Sequence, residues 1–164
     1  MNAPEMQPLN REAIFAALFT RLQTIPGVKT FSRVLLSFED ACAADQPAIF
    51  LTKGDEENRE PNRSLPAKWK LSADITLFCR NDADPHAGPS IQLNTLLSAI
   101  EGVLIRQPFE GFKPGQPFAQ TNDWWTSLDG LCSHCWISDR IIIGEGANGL
   151  QAVAVVPIEI YTTP

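Results

Sequence analysis

Long apolar runs are missing from this chain of 164 residues. No stretch approaches the roughly 20 residues a membrane-spanning helix requires, so no membrane partner is expected. Basic charge is scarce as well: 13 Lys and Arg stand against 19 Asp and Glu, a formal net charge of −6. Phosphate contacts need a clustered basic face, which excludes nucleic acid as an affinity partner. The same acidity suits a wall that DNA slides past, because it repels the phosphate backbone. Histidine occurs twice, at His86 and His134, which leaves little for imidazole catalysis or zinc. Residues 1–8 hold neither a basic nor a hydrophobic segment. A cytoplasmic product is therefore expected, with its four cysteines as reduced thiols.

What is present is an ordinary folded composition, 44% hydrophobic and 20% charged. One domain over residues 1–164 is expected, burying about 70% of its unfolded surface. Residues 1–9 carry two prolines and read as a loose arm. Asn10 is a candidate N-cap for a helix in which Ile14, Ala17, Leu18, Leu22 and Ile25 recur at three- and four-residue steps. Pro26-Gly27 stops it. Residues 30–36 and 47–52 read as strands, and 53–68 as a long polar loop. In residues 69–80, Trp69, Leu71, Ala73, Ile75, Leu77 and Cys79 alternate with Lys70, Ser72, Asp74, Thr76 and Arg80, a strand with one wet face.

A second helix over residues 90–105 follows, capped by Ser90, and residues 107–122 form a Pro-, Gly- and Phe-rich excursion. Residues 131–143 and 149–160 close the chain as strands around a glycine-dense turn. The last strand is apolar on both sides. Ala152, Ala154, Val156, Ile158 and Ile160 fill one face, and Val153 and Val155 load the other, so cover on both faces is expected. The order helix–strand–strand–strand–helix–strand–strand lacks strand–helix alternation. It predicts an α+β fold: a mostly antiparallel sheet of about five strands with two main helices on one face.

No stretch reads as a catalytic centre. On a regular strand Cys132 and His134 point one way and Cys135 the other, so one zinc ion cannot reach all three without a bulge. Cys79 or Cys42 alone does not supply the usual second ligand pair. The thiols read as core residues. A Cys132–His134 nucleophile pair has no orienting third group. The segment Gly144-Glu-Gly-Ala-Asn-Gly149 precedes a strand rather than a helix and carries an acid, so it is a turn and not a phosphate cradle. Phe109, Phe112, Phe118, Trp124, Trp125 and Trp136 have too few basic neighbours to stack on single-stranded nucleic acid. They are expected to cap the core or meet another subunit.

Four segments taken together resemble a family of proteins from long-tailed bacteriophages and prophages. They are Arg11-Glu-Ala-Ile-Phe-Ala-Ala-Leu-Phe, Leu65-Pro-Ala-Lys-Trp-Lys-Leu, Ile91-Gln-Leu-Asn-Thr-Leu-Leu-Ser-Ala-Ile-Glu and Gly149-Leu-Gln-Ala-Val-Ala-Val-Val-Pro-Ile-Glu-Ile. The family is that of the tail terminators and minor tail proteins, which close the head-proximal end of the tail tube. The resemblance lies in order and spacing over nearly the whole chain.

It implies a structural virion protein, not an enzyme and without a cofactor, assembled as a ring that is commonly a hexamer. Its implied partners are the tail tube protein and a neck or head-completion protein, with DNA only passing through the lumen. A neck or head–tail connector of the same subunit fold is the alternative. Cys132-Ser-His-Cys135 departs from the family's functional pattern and leaves a zinc- or thiol-dependent protein as a third reading. Two sets of residues are expected at subunit contacts. One is the mixed-charge set Lys53, Asp55, Glu56, Glu57, Arg59, Glu60 and Arg63; the other is Val153, Val155 and Tyr161 on the second face of the last strand.

Overall fold

Asn10 starts the first helix. A computed structural model describes residues 9–37, 40–41, 43–59, 68–80, 90–105, 125–145 and 151–164. In it the Asn10 side-chain oxygen accepts a hydrogen bond of 3.1 Å from the Ala13 N–H, which satisfies a backbone donor the helix leaves open. Helix α1 spans Arg11–Leu22, and Gly27 takes φ +79° just beyond the stop that Pro26 imposes. The second helix, α2, covers Ser90–Leu104. Neither is long and apolar enough to cross a membrane.

The strands are β1 (Thr30–Ser32), β2 (Ala48–Asn58), β3 (Trp69–Arg80), β4 (His134–Ile137), β5 (Ile142–Glu145) and β6 (Gln151–Thr162). They form one sheet in the order β1-β2-β3-β6-β4, with β5 also on β6. Among the described residues only the β1–β2 pair is parallel. This is the expected α+β architecture, with one more strand than foreseen because residues 131–143 do not run as a single strand.

The cause of that split is Pro157. Ile137 faces Ile158 and Ile142 faces Val155, so the four residues 138–141 stand opposite only two on β6. The Pro157 carbonyl accepts from the Ser138 N–H at 3.0 Å, so this edge of β6 is where Pro157 has no N–H to give. A proline in a central strand is tolerated at such a bulge.

Both helices lie on one face of the sheet. Ile14, Phe15, Leu18 and Leu22 of α1 and Leu93, Leu96, Ile100 and Leu104 of α2 are buried in one cluster with Leu71, Ile75 and Leu77 of β3. Strand β6 adds Ala152, Ala154, Val156, Ile158 and Ile160, each at most 1% exposed. The intervening residues of β6, from Gln151 to Tyr161, are half-buried. The second face is thus covered only in part, where Ala41, Ala48, Phe50, Phe78 and Val153 make a small satellite cluster. Phe50 and Phe78 meet there with ring centroids 5.3 Å apart. Thr76, cross-strand from Phe50, is buried as well, although alternation alone places it in water.

Three expectations need correction. Residues 53–68 are not loop throughout: β2 continues to Asn58, paired to Trp69–Leu71 of β3 across a register shift between Lys53 and Glu56. The polar residues there are compatible with strand because this part of β2 packs under α1 through charged groups instead of aliphatic ones. Gly54 sits at the shift, where an added Cβ would stand 3.1 Å from that of Ser72. The strand expected over residues 30–36 ends at Ser32, and Val34, Leu35 and Leu36 are exposed. In α2, the helical spacing of Ile91, Leu96, Leu97, Ile100, Val103 and Leu104 predicts Ile91 on the buried stripe, yet Ile91 is 67% exposed while Leu93 is buried. Of the arm expected at residues 1–9, Leu9 packs against the core and residues 1–8 lie outside the described residues, as does the excursion at 107–122; Ser90, expected as a cap, is the first residue of α2.

Candidate functional site

Between α1 and the charged end of β2 runs a seam of ion pairs. The Arg11 guanidinium bonds Glu56 at 2.5 Å and lies 5.0 Å from the centre of the Trp69 ring. The Lys53 ammonium sits 4.7 Å above the Phe15 ring and 3.8 Å from Glu12. Glu12 also accepts from Arg33, beyond β1. The hydrogen bond from Arg33 holds the Glu12 carboxyl below the ordinary range, with Lys53 adding to it, and the same bond raises Arg33.

Of the charged residues expected at a subunit contact, Lys53 and Glu56 therefore face α1 of their own chain. Glu57 and Arg59 pair with each other at 3.1 Å, and Asp55 is exposed. Glu60 and Arg63 lie outside the described residues.

The outer face of the sheet carries a second arrangement. Glu159 and Tyr161 of β6 sit opposite Trp136 and His134 of β4. The Trp136 and Tyr161 rings stack at 5.0 Å and 11°; His134 meets Trp136 edge-on at 5.8 Å and Trp125 at 4.5 Å. Glu159 binds Lys70 and accepts from the Tyr161 hydroxyl at 3.4 Å. Val153 and Val155 continue this face toward the satellite cluster, so Val153, Val155 and Tyr161 share one surface as expected from their spacing.

Cys79, Cys132 and Cys135 do not build a site. Strand β4 begins only at His134, so Cys132 lies in the preceding turn and is turned inward with Cys135, while His134 is exposed. This reverses the expectation that Cys132 and His134 share a face. The Cys132 thiol points at the Thr126 carbonyl, 3.9 Å away. Among the described residues no three His, Cys, Asp or Glu side chains gather closely enough for a metal ion. Cys79 is 0% exposed, and burial pushes its thiol up to about 12, far from the thiolate a nucleophile needs. A cleft of about 530 Å³ between the end of α2 and residues 137–141 is lined by Leu104, Ile105, Ile137 and Ile141 with two carboxylates, Glu101 and Asp139. Two acids beside aliphatic walls do not assemble a nucleophile and its base.

Two features lay beyond the reach of sequence reasoning. Arg21, in the last turn of α1, donates to Thr126 Oγ1 at 2.8 Å and to Asp129 at 3.1 Å. It grips a turn in which Leu128, Asp129 and Gly130 all have positive φ, with Leu128 fully buried. The Asp-Gly pair was the one legible signal of that turn. The other is a pair of exposed apolar groups at the two sheet edges, Val34 to Leu36 beyond β1 and Ile142 with Ile143 in β5.

No family model matches this chain, and no curated protein does. Its structure is similar to a chain of a particle described as the virion of a native gene transfer agent. The TM-score is 0.54 at 10% sequence identity, over 93% of this chain and 96% of that one. The two share a fold. The likeness leaves no large part of either chain unaccounted for.

Proposed function

We propose that this chain is a structural protein of a phage-like virion, a subunit of the ring that ends the tail tube at its head-proximal end and joins it to the head or neck. The observation that carries the reading is the end-to-end likeness in fold to a chain of a gene transfer agent virion. The residues favour assembly over chemistry: Cys79, Cys132 and Cys135 are buried, the cleft lined by Glu101 and Asp139 lacks a catalytic set among the described residues, and apolar and aromatic groups are displayed on the outer face and edges. The partners on this reading are other copies of the chain in a ring, six by resemblance, the tail tube protein and a neck or head-completion protein. DNA crosses the lumen of an acidic subunit without being held. Asp55, Glu57 and Arg59 at the exposed end of β2, and Val153, Val155 and Tyr161 on the outer face, are the surfaces offered to these partners.

Deleting the gene from its parent particle tests the reading. A terminator's loss gives tail tubes of uncontrolled length, whereas a neck connector's loss gives tails of normal length without heads. Particles of unchanged form and number would refute both.

A further inference from the structure

We propose that copies of this chain join head to tail through the two opposite edges of the sheet, the Val34–Leu35–Leu36 patch of one copy packing against Ile142 and Ile143 of the next. This rests on the ring reading above and names the contact that would build the ring. Five of the eight large apolar residues exposed among those described lie at these two edges, at 41–69% exposure, instead of being scattered over the surface. Among the described residues, strand β1, which leads into the first patch, pairs only with β2, and β5, which holds the second, pairs only with β6. The patches therefore sit at the two extremes of the strand order.

Asp40 follows the first patch and Arg140 precedes the second, both exposed, while Arg33 is engaged by Glu12 of its own chain; apposed edges can thus match apolar to apolar and Asp40 to Arg140. The edges are also blunted. Strand β1 has three residues, and the β4–β5 edge is broken by the bulge at 138–141. Such edges do not template a long ladder with any passing strand, so the joint is made by side chains. Two different patches on one chain make a heterologous contact, the kind that closes into a ring when the rotation between copies allows it. A ring leaves neither edge in water.

Leu35→Asp and Ile142→Asp test this, one charge at each edge. Wild type is expected to run as a closed oligomer by light scattering, each variant alone at the mass of one chain, and an equimolar mixture of the two at twice that mass. The mixture restores a single intact joint, Leu35 of the second variant against Ile142 of the first. Val34→Lys and Ile143→Lys repeat the design should either aspartate variant lose its far-ultraviolet dichroism. A wild-type ring whose variants keep its mass, or whose variant mixture stays monomeric, overturns the edge joint and leaves the ring reading standing. A wild-type protein that is monomeric at its highest soluble concentration overturns both.

Discussion

Alternate residues of β6 should differ sharply in what they contribute to the isolated subunit. Ile158 is 1% exposed and lies between Ala73 of β3 and Ile137 of β4; Val155 is half-buried on the opposite face, between Thr76 and Ile142. Ile158→Ala removes three carbons from the core. At about 0.8 kcal/mol per buried CH₂ that is about 2.4 kcal/mol of transfer, and the cavity left behind raises it to about 3–4 kcal/mol. In a chain of this length each kcal/mol lowers Tm by about 2–4 °C, so a fall of about 6–16 °C is expected. Val155→Ala removes two carbons that are only partly dry, about 0.8 kcal/mol, for a fall of about 3 °C or less. Differential scanning calorimetry with light scattering on the same samples reads both melting and mass. Equal falls in Tm for the two variants, at a mass of one chain, would refute the view that the sheet is closed on one face only.

Three further outcomes follow from the interior and the α1 seam. Burial holds the Cys79 thiol protonated up to about 12 against an ordinary 9.0, so the native state keeps a proton that the unfolded chain releases; stability is complete below pH 9 and declines above it, by up to about 1.4 kcal/mol per pH unit. Cys79→Ala should flatten the alkaline limb of a Tm-against-pH curve, and an unchanged limb would contradict the burial argument. For Glu12 the sign is opposite: its carboxyl is held below 4.5, so its pairing with Arg33 stabilises above that pH and fades as the medium becomes more acidic. The Tm gap between wild type and Glu12→Gln should therefore close as the pH falls, and a constant gap would count against the pairing. Arg21→Met strips the hydrogen bonds to Thr126 and Asp129 that hold the strained turn at Leu128 to Gly130 and should cost about 1–3 kcal/mol. Hydrogen exchange should quicken around residues 126–135 while β3 and β6 keep their protection; uniform loss along the sheet would sink the local account.

Period-two and period-four patterns made much of this fold legible. The Asn10 cap, the inward face of β3 and the buried side of β6 follow from side-chain direction alone. What escaped was decided by partners distant in sequence. Strand β2 runs six residues into a segment without hydrophobes because Arg11, Glu12 and Phe15 of α1 engage Lys53 and Glu56 from above. Charge composition marks such a segment as loop, and only the opposing helix makes it strand. Cys132 turned inward because β4 starts at His134, three residues later than the strand expected from residue 131, after a turn held by Arg21. The surface proposed for assembly was the hardest to see, since an exposed Val-Leu-Leu and a buried one are the same letters.

The apolar character of both faces of β6 then has a physical reading that neither burial nor alternation gives singly. Its even-numbered side is sealed by two helices of the same chain. Its odd-numbered side is sealed at the Val153 end by Ala41, Ala48, Phe50 and Phe78, and is half open from Val155 to Tyr161. A strand that only had to fold would carry polar residues there, as β3 does with Ser72 and Asp74 across the register from Glu159 and Pro157. Instead Val155 and the stacked Trp136–Tyr161 pair keep an apolar strip half wet beside the bulge, next to Ile142 at the sheet edge. Outer face and edge thus adjoin, so a neighbour seated on Ile142 also reaches Val155. Val155→Asp should accordingly weaken the oligomer as Ile142→Asp does while leaving the melting of the single chain within a few degrees of wild type, about the scale of its partial burial. An oligomer indifferent to Val155→Asp would confine the joint to the edge and leave the outer face to a different partner.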